Sequence, residues 1–188
     1  MAVLDPIQEK YAQLVDFFQW WIPQYLPLAG VYLVGQNAPT PEAPFVGFLP
    51  LSSIDYVGQD ERRIVDGLEI LRGQRRVTCD LFGFSDEKSR FDGEENAWDM
   101  LQALRFSLGF PEVVDKLSEI TCRVIDEGTV VDISETKNTE NQPRSNLQIT
   151  LSTVIIQYIN SGVIETINTQ GSLSLTNGQK TVDVTATK

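Results

Sequence analysis

The side chains in this sequence that could do chemistry are few, and they are acids and thiols. Neighbouring carboxylates occur at Asp60-Glu61, Glu94-Glu95 and Asp126-Glu127. Two acids facing one another across a cleft could divide acid and base roles or hold a hard cation. Residues adjacent in a loop or at a helix start do not face each other that way, so each pair reads more simply as solvated charge. The sequence has no histidine, which removes the Ser-His-Asp and Cys-His arrangements and the zinc sites that depend on imidazole. Its two cysteines, Cys79 and Cys122, sit at apolar positions of alternating segments, the pattern of buried thiols acting as small hydrophobes. Neither a Gly-x-Gly-x-x-Gly fingerprint nor a phosphate-cradling Gly-x-x-x-x-Gly-Lys-Ser/Thr loop occurs. The residues direct attention to surfaces and partners.

Composition narrows the partners. Fifteen basic and 26 acidic residues give a net charge of −11, which opposes a protein that wraps nucleic acid, because such proteins neutralise phosphates with clustered Lys and Arg. A hydrophobic content of 41% with 22% charged residues is that of a folded globular chain. Its 188 residues suit one substantial core with at most a small appendage. Asp5, Gln8, Glu9 and Asp16 break up the first twenty residues, unlike a signal peptide, and no apolar run reaches the ~18 residues of a spanning helix. The expected setting is a cytoplasm, or a particle assembled in one, with no membrane.

The elements that must position any surface centre on Arg72 to Leu108. Val77, Cys79 and Leu81 alternate with Arg76, Thr78 and Asp80, the period of a strand with one face on a core. Ala97, Met100, Leu101, Leu104 and Leu108 recur at helical spacing and predict a helix over Glu94 to Leu108 that covers the strand. Asp92 with Glu95 has the form of a capping box, and Gly109 with Pro111 supplies the stop. Arg72-Gly73 reads as a turn that would fold Leu68 to Phe82 into an antiparallel hairpin.

Upstream, Asp5-Pro6 starts a helix to Ile22 carrying Ile7, Tyr11, Leu14, Val15, Phe18 and Ile22 on one face, with Pro23 marking its end. Trp20 and Trp21 are adjacent and must point in different directions, one inward and one toward the rim. Val31 to Val34 and Phe45 to Val57 read as a two-strand unit joined by a proline-rich loop. Downstream, Pro111 to Leu117 is a short helical turn and Glu119 to Ile125 a strand, with Thr129 to Ile133 as its possible partner across Glu127-Gly128. Ser134 to Asn146 is almost wholly polar, so it is either mobile in a free subunit or ordered by a partner. Leu147 to Tyr158 reads as a central strand ending in a buried run, Val154 to Ile156. Val163 to Asn168, Gly171 to Thr176 and Gln179 to Thr187 are short strands, with Asn177-Gly178 a hairpin signal. The expected architecture is α+β: a mainly antiparallel sheet covered by two principal helices over residues 1–168, with a C-terminal β-hairpin extension of the same domain over 169–188.

The strand RVTCDLFGF, the gap, and the helix bearing Ala97 and Leu101-Gln102-Ala103-Leu104-Arg105, followed by the polar segment and closing strand, resemble the terminator proteins of tailed bacteriophages, in particular the neck terminator family. The resemblance spans Ile7 to Asn168 in order of elements. It implies a tail-terminator-like fold and a structural virion protein with no cofactor and no metal. It implies a homo-oligomeric, hexameric ring joining the head connector, or stopper, to the tail tube and, in a contractile tail, the sheath. DNA would pass through the channel without specific binding. Candidate channel-facing residues are Asp126, Glu127, Asp132, Glu135 and Glu140. Candidate subunit contacts are Trp20, Trp21, Arg75, Arg76 and Arg144. The competing expectation is a small acidic intracellular enzyme or binding module with an unrecognised site.

Overall fold

The computed structural model describes residues 5–65, 68–86, 96–137, 140–159, 166–175 and 178–187. The chain is α+β, with a mostly antiparallel sheet and, among the described residues, three helices. Helix α1 (Pro6–Tyr25) begins where Asp5 accepts the Ile7 amide at 3.0 Å, with Pro6 in the first turn, where a missing N–H costs nothing. Pro23 does not end it. The Gln19 carbonyl that loses its donor at Pro23 belongs to an exposed residue, and the Leu26 amide closes the last turn on the Ile22 carbonyl at 2.9 Å. The face toward the sheet is Lys10, Leu14, Phe17, Phe18, Trp21 and Ile22, rotated from the predicted stripe so that Ile7 and Tyr11 lie at the surface. Phe18 stacks on Phe48 at 5.3 Å between ring centroids, and Phe17 on Trp21 at 5.6 Å.

The strand order is β1-β2-β3-β8-β4, formed by β1 (Gly30–Leu33), β2 (Phe45–Val65), β3 (Leu68–Phe84), β8 (Arg144–Ile159) and β4 (Cys122–Asp126). The short β1 runs parallel to the start of β2; the other pairings are antiparallel. The expected turn at Arg72-Gly73 is absent: β3 runs through it and pairs with β2 from Leu68↔Val65 to Phe84↔Phe45. The last described pair of the hairpin is Val65↔Leu68, on either side of the Asp-Gly dipeptide, the stronger turn signal in the sequence. β8 is central as expected and joins β3 without a register break from Glu69↔Ile159 to Phe84↔Arg144, so it starts three residues before the predicted Leu147. Val154 to Ile156 is not a buried run. The alternation continues through it, with Ile155 buried and Ile156 exposed.

Helix α2 (Ala97–Ser107) starts later than predicted. Its cap is Asn96, whose side chain accepts the Asp99 amide at 2.8 Å; the expected Asp92 and Glu95 lie outside the described residues. Met100, Leu101 and Leu104 are buried, beneath the strand side chains Val77, Cys79, Leu81, Leu147, Ile149 and Leu151. Gly83 lets the helix start this close: a Cβ there would stand 2.6 Å from the Ala97 carbonyl oxygen. Helix α3 (Pro111–Glu119) is the predicted short helix, extended to Glu119, so β4 begins only at Cys122. β4 and β5 (Val131–Asp132) do not pair with each other; both add to the same edge of β8, one after the other. Within the polar segment β6 (Glu135–Lys137) pairs with β7 (Glu140–Gln142). β9 (Thr166–Leu175) is one strand where two were expected, and it pairs along its length with β10 (Gly178–Thr187).

Candidate interface and channel residues

Arg75, proposed from sequence as a subunit contact, is committed within its own chain. It lies on β3 with only 7% of its surface exposed, and its guanidinium donates to both carboxylate oxygens of Asp60 on β2, each at 2.7 Å. The guanidinium also donates to the Gln74 carbonyl at 3.0 Å, and its carbon lies 4.0 Å from the centre of the Tyr56 ring. The hydrogen bond from Arg75 holds the Asp60 carboxyl below its usual pKa, the attraction of the guanidinium adding to it and desolvation opposing it. Arg76, the next residue, points to the opposite face and is exposed.

The tryptophan pair divides as the sequence requires. Trp21 is wholly buried and its indole N–H donates to Ser107 Oγ on α2 at 2.8 Å, which makes it a link between two helices of one chain. Trp20 is half-buried, with the Lys116 ammonium 6.0 Å from its ring. Of the two, Trp20 is the one with surface to offer. Arg144 lies over the Phe84 ring at 5.3 Å, and its backbone amide donates to Ser134 Oγ at 3.1 Å.

The acidic candidates gather on the β4–β5 edge. Asp126 ends β4 and accepts the Gly128 amide at 2.9 Å, a local turn that Gly128 completes with a positive φ. Glu127 follows, 3.9 Å from Arg105 of α2. Asp132 on β5 accepts the Ser134 amide at 2.9 Å. All three are exposed. Glu135 and Glu140 sit on the short β6–β7 pair, and only their backbone is described. Asp132 and Arg144 are brought together on the wall of a shallow hollow of about 310 Å³, which Trp98 also lines.

Sequence reasoning missed two features of this surface. Lys10 is 6% exposed and caps the end of α3, its ammonium donating to the Ile120 carbonyl at 2.5 Å and to Thr121 Oγ1 at 3.2 Å. Its position four residues before Leu14, on the core face of α1, was the available signal. Burial pushes its pKa down. The second is an outward apolar set on the two short helices, Trp98, Phe106, Phe110 and Val114, all exposed, readable as the helical positions left over from the core stripe. Cys79 and Cys122 are both buried and unbridged, and desolvation raises both thiols. Among the described residues no group of three or more potential metal ligands occurs, and no helix is long and apolar enough to cross a membrane.

These features describe an α+β domain with ion-paired strands, exposed aromatics and a charged edge. The chain belongs to the phage neck terminator protein family, whose model matches residues 12–178. It is accordingly a structural protein of the bacteriophage neck and a component of the virion. No curated protein matches it.

Proposed function

We propose that copies of this chain close into a ring, hexameric as the sequence resemblance implies, between the head connector or stopper and the tail tube, with the sheath as a further neighbour where the tail contracts. The observation that carries this reading is family membership over residues 12–178. The ring encloses a channel through which DNA passes. The chain's charge of −11 suits that role, because carboxylates on a channel wall repel the like-charged polymer where Lys and Arg would grip it. Asp126, Glu127 and Asp132 are the proposed channel residues with described side chains, and Glu135 and Glu140 extend the set. Trp20, Arg76 and Arg144 are the proposed contacts to neighbouring subunits; Trp21 and Arg75 act behind the surface, holding the elements that carry it. Residues 1–168 with 169–188 are proposed to act as one domain and its extension, in a particle assembled in the host cytoplasm.

Phage carrying a stop codon in this gene should accumulate DNA-filled heads and separate tails, and the chain supplied in trans should join them. Normally joined, infectious particles lacking the chain would overturn the neck reading. Symmetry-resolved electron microscopy of the neck counts the copies, and a single copy per particle would overturn the ring.

A further inference from the structure

The β2–β3 hairpin, with β8 as its third strand, forms an arm whose two outer edges are open. β1 covers β2 only as far as Phe48, so among the described residues β2 has no strand beside it on that side from residue 49 to 65. On the far side β4 begins to pair with β8 at Thr153, which leaves residues 154–159 of β8 with β3 on one flank and no described strand on the other. Along these stretches Tyr56 and Ile64 are each 72% exposed and Ile156 42%, while Ile155 stays buried. A strand directs half of its N–H and C=O groups to each side, so the arm displays two rows of backbone groups able to receive another extended chain.

The two edges differ in protection. Register shifts between Leu49 and Ser53 and between Val57 and Glu61 bulge β2 and divide its open edge into regular stretches at 53–57 and 61–65. The β8 edge, Val154-Ile155-Ile156-Gln157-Tyr158-Ile159, carries neither charge nor proline. At its start it borders a groove of about 300 Å³ lined by Pro6, Lys10 and Ile120, which offers room for the side chains of an incoming strand.

We infer that the β8 edge at 154–159 of one copy pairs with the 61–65 stretch of β2 in the next, so that the sheet continues from subunit to subunit. This rests on the ring reading above. Register supports the match: residues 61–64 of β2 lie opposite 72–69 of β3, which lie opposite 156–159 of β8, so the two edges are level across the arm. Direction supports it too. β2 and β8 are both antiparallel to β3, hence parallel to each other, and rotation about an axis along the strands brings one against the other with direction preserved. The surfaces are different and lie on opposite sides of the arm, the head-to-tail arrangement that generates rings; a two-fold pairing of β2 with β2 would leave the β8 edge unused. Charge supports a second copy as the occupant. Copies of a chain at −11 repel, but from Pro50 to Val77 five acids stand with five arginines, so this arm is neutral.

Amide hydrogen exchange, read by mass spectrometry on the dilute chain and on the assembled neck in purified virions, tests the joint directly. Peptides covering 61–65 and 154–159 should both exchange at least about tenfold more slowly in the assembly. A ring in which neither edge gains protection overturns the edge pairing and leaves the ring reading intact, whereas a neck holding one copy overturns the ring reading itself. Protection of one edge alone would place a strand of another protein there and overturn the copy-to-copy joint. An edge variant, Ile156→Pro, gives a second measurement: with the melting curve of the isolated chain retained, it should fail to complement the stop-codon phage, and full complementation would count against the joint.

Discussion

Arg75 and Asp60 meet across the bulged β2–β3 hairpin in a two-point contact, and Gly73 lies directly beneath it. A side chain on Gly73 would run into both the carboxylate and the guanidinium. Gly73→Ala should therefore break or displace the clamp and lower stability by on the order of 1–3 kcal/mol, the usual cost of overpacking. Urea unfolding measures it, and a variant as stable as the parent would show that the clamp moves aside freely.

The same contact has a pH signature. Because Arg75 depresses the folded pKa of Asp60, the stabilisation is complete above the ordinary carboxylate range, near about 3.9, and is lost as pH falls through the lower folded value. The stability gap between the parent and Asp60→Asn should be constant from neutral pH to about pH 5 and should close toward pH 2. A gap that persists undiminished at the acid end contradicts the assignment.

Leu101 is wholly buried between α2 and the sheet. Truncation to Ala should cost about 2–5 kcal/mol, and Leu101→Asp, which buries an unpaired charge, should abolish soluble folded protein. A Leu101→Asp chain that unfolds cooperatively like the parent would sink this packing account.

The Trp21–Ser107 hydrogen bond joins α1 to α2 in the core. Ser107→Ala strands a buried indole N–H and should cost about 1–3 kcal/mol. In a Trp21→Phe background, with no N–H left to satisfy, the same change should cost much less, which a double-mutant cycle reads. Equal costs in both backgrounds would show the bond contributes nothing.

An acidic passive channel predicts that the purified chain shows no measurable binding to double-stranded DNA near physiological salt. Fluorescence anisotropy with a labelled duplex checks this, and tight, salt-sensitive binding would turn the functional reading toward nucleic-acid handling.

Much of the fold was legible because periodicity is local. The alternation at Val77, Cys79 and Leu81 and the stripe Met100, Leu101 and Leu104 each identify an element and its buried face from a dozen neighbouring residues. The same signal misplaced the hairpin. Arg72-Gly73 has turn composition, but Gly73 serves as the floor for a side-chain contact formed by residues fifteen apart, Asp60 and Arg75. Likewise Thr129 to Ile133 has strand composition, and no local pattern shows that it joins β8 beside Cys122–Asp126 instead of folding back on it.

By itself the sequence determined the types of the principal helices and of the central strands, the burial of both thiols, the exclusion of histidine-based chemistry and the acid excess, along with the family resemblance. It required Trp20 and Trp21 to diverge, since adjacent helical residues cannot share a direction, but left open which of them faces the core. Tertiary structure decided that Trp21 is the inward one, that Arg75 is spent on Asp60, and that Asp126, Glu127 and Asp132 share one edge. Those outcomes depend on strand register and on how helix and sheet faces meet. Both are settled by pairings between residues far apart in the chain, whose energies no local spacing records.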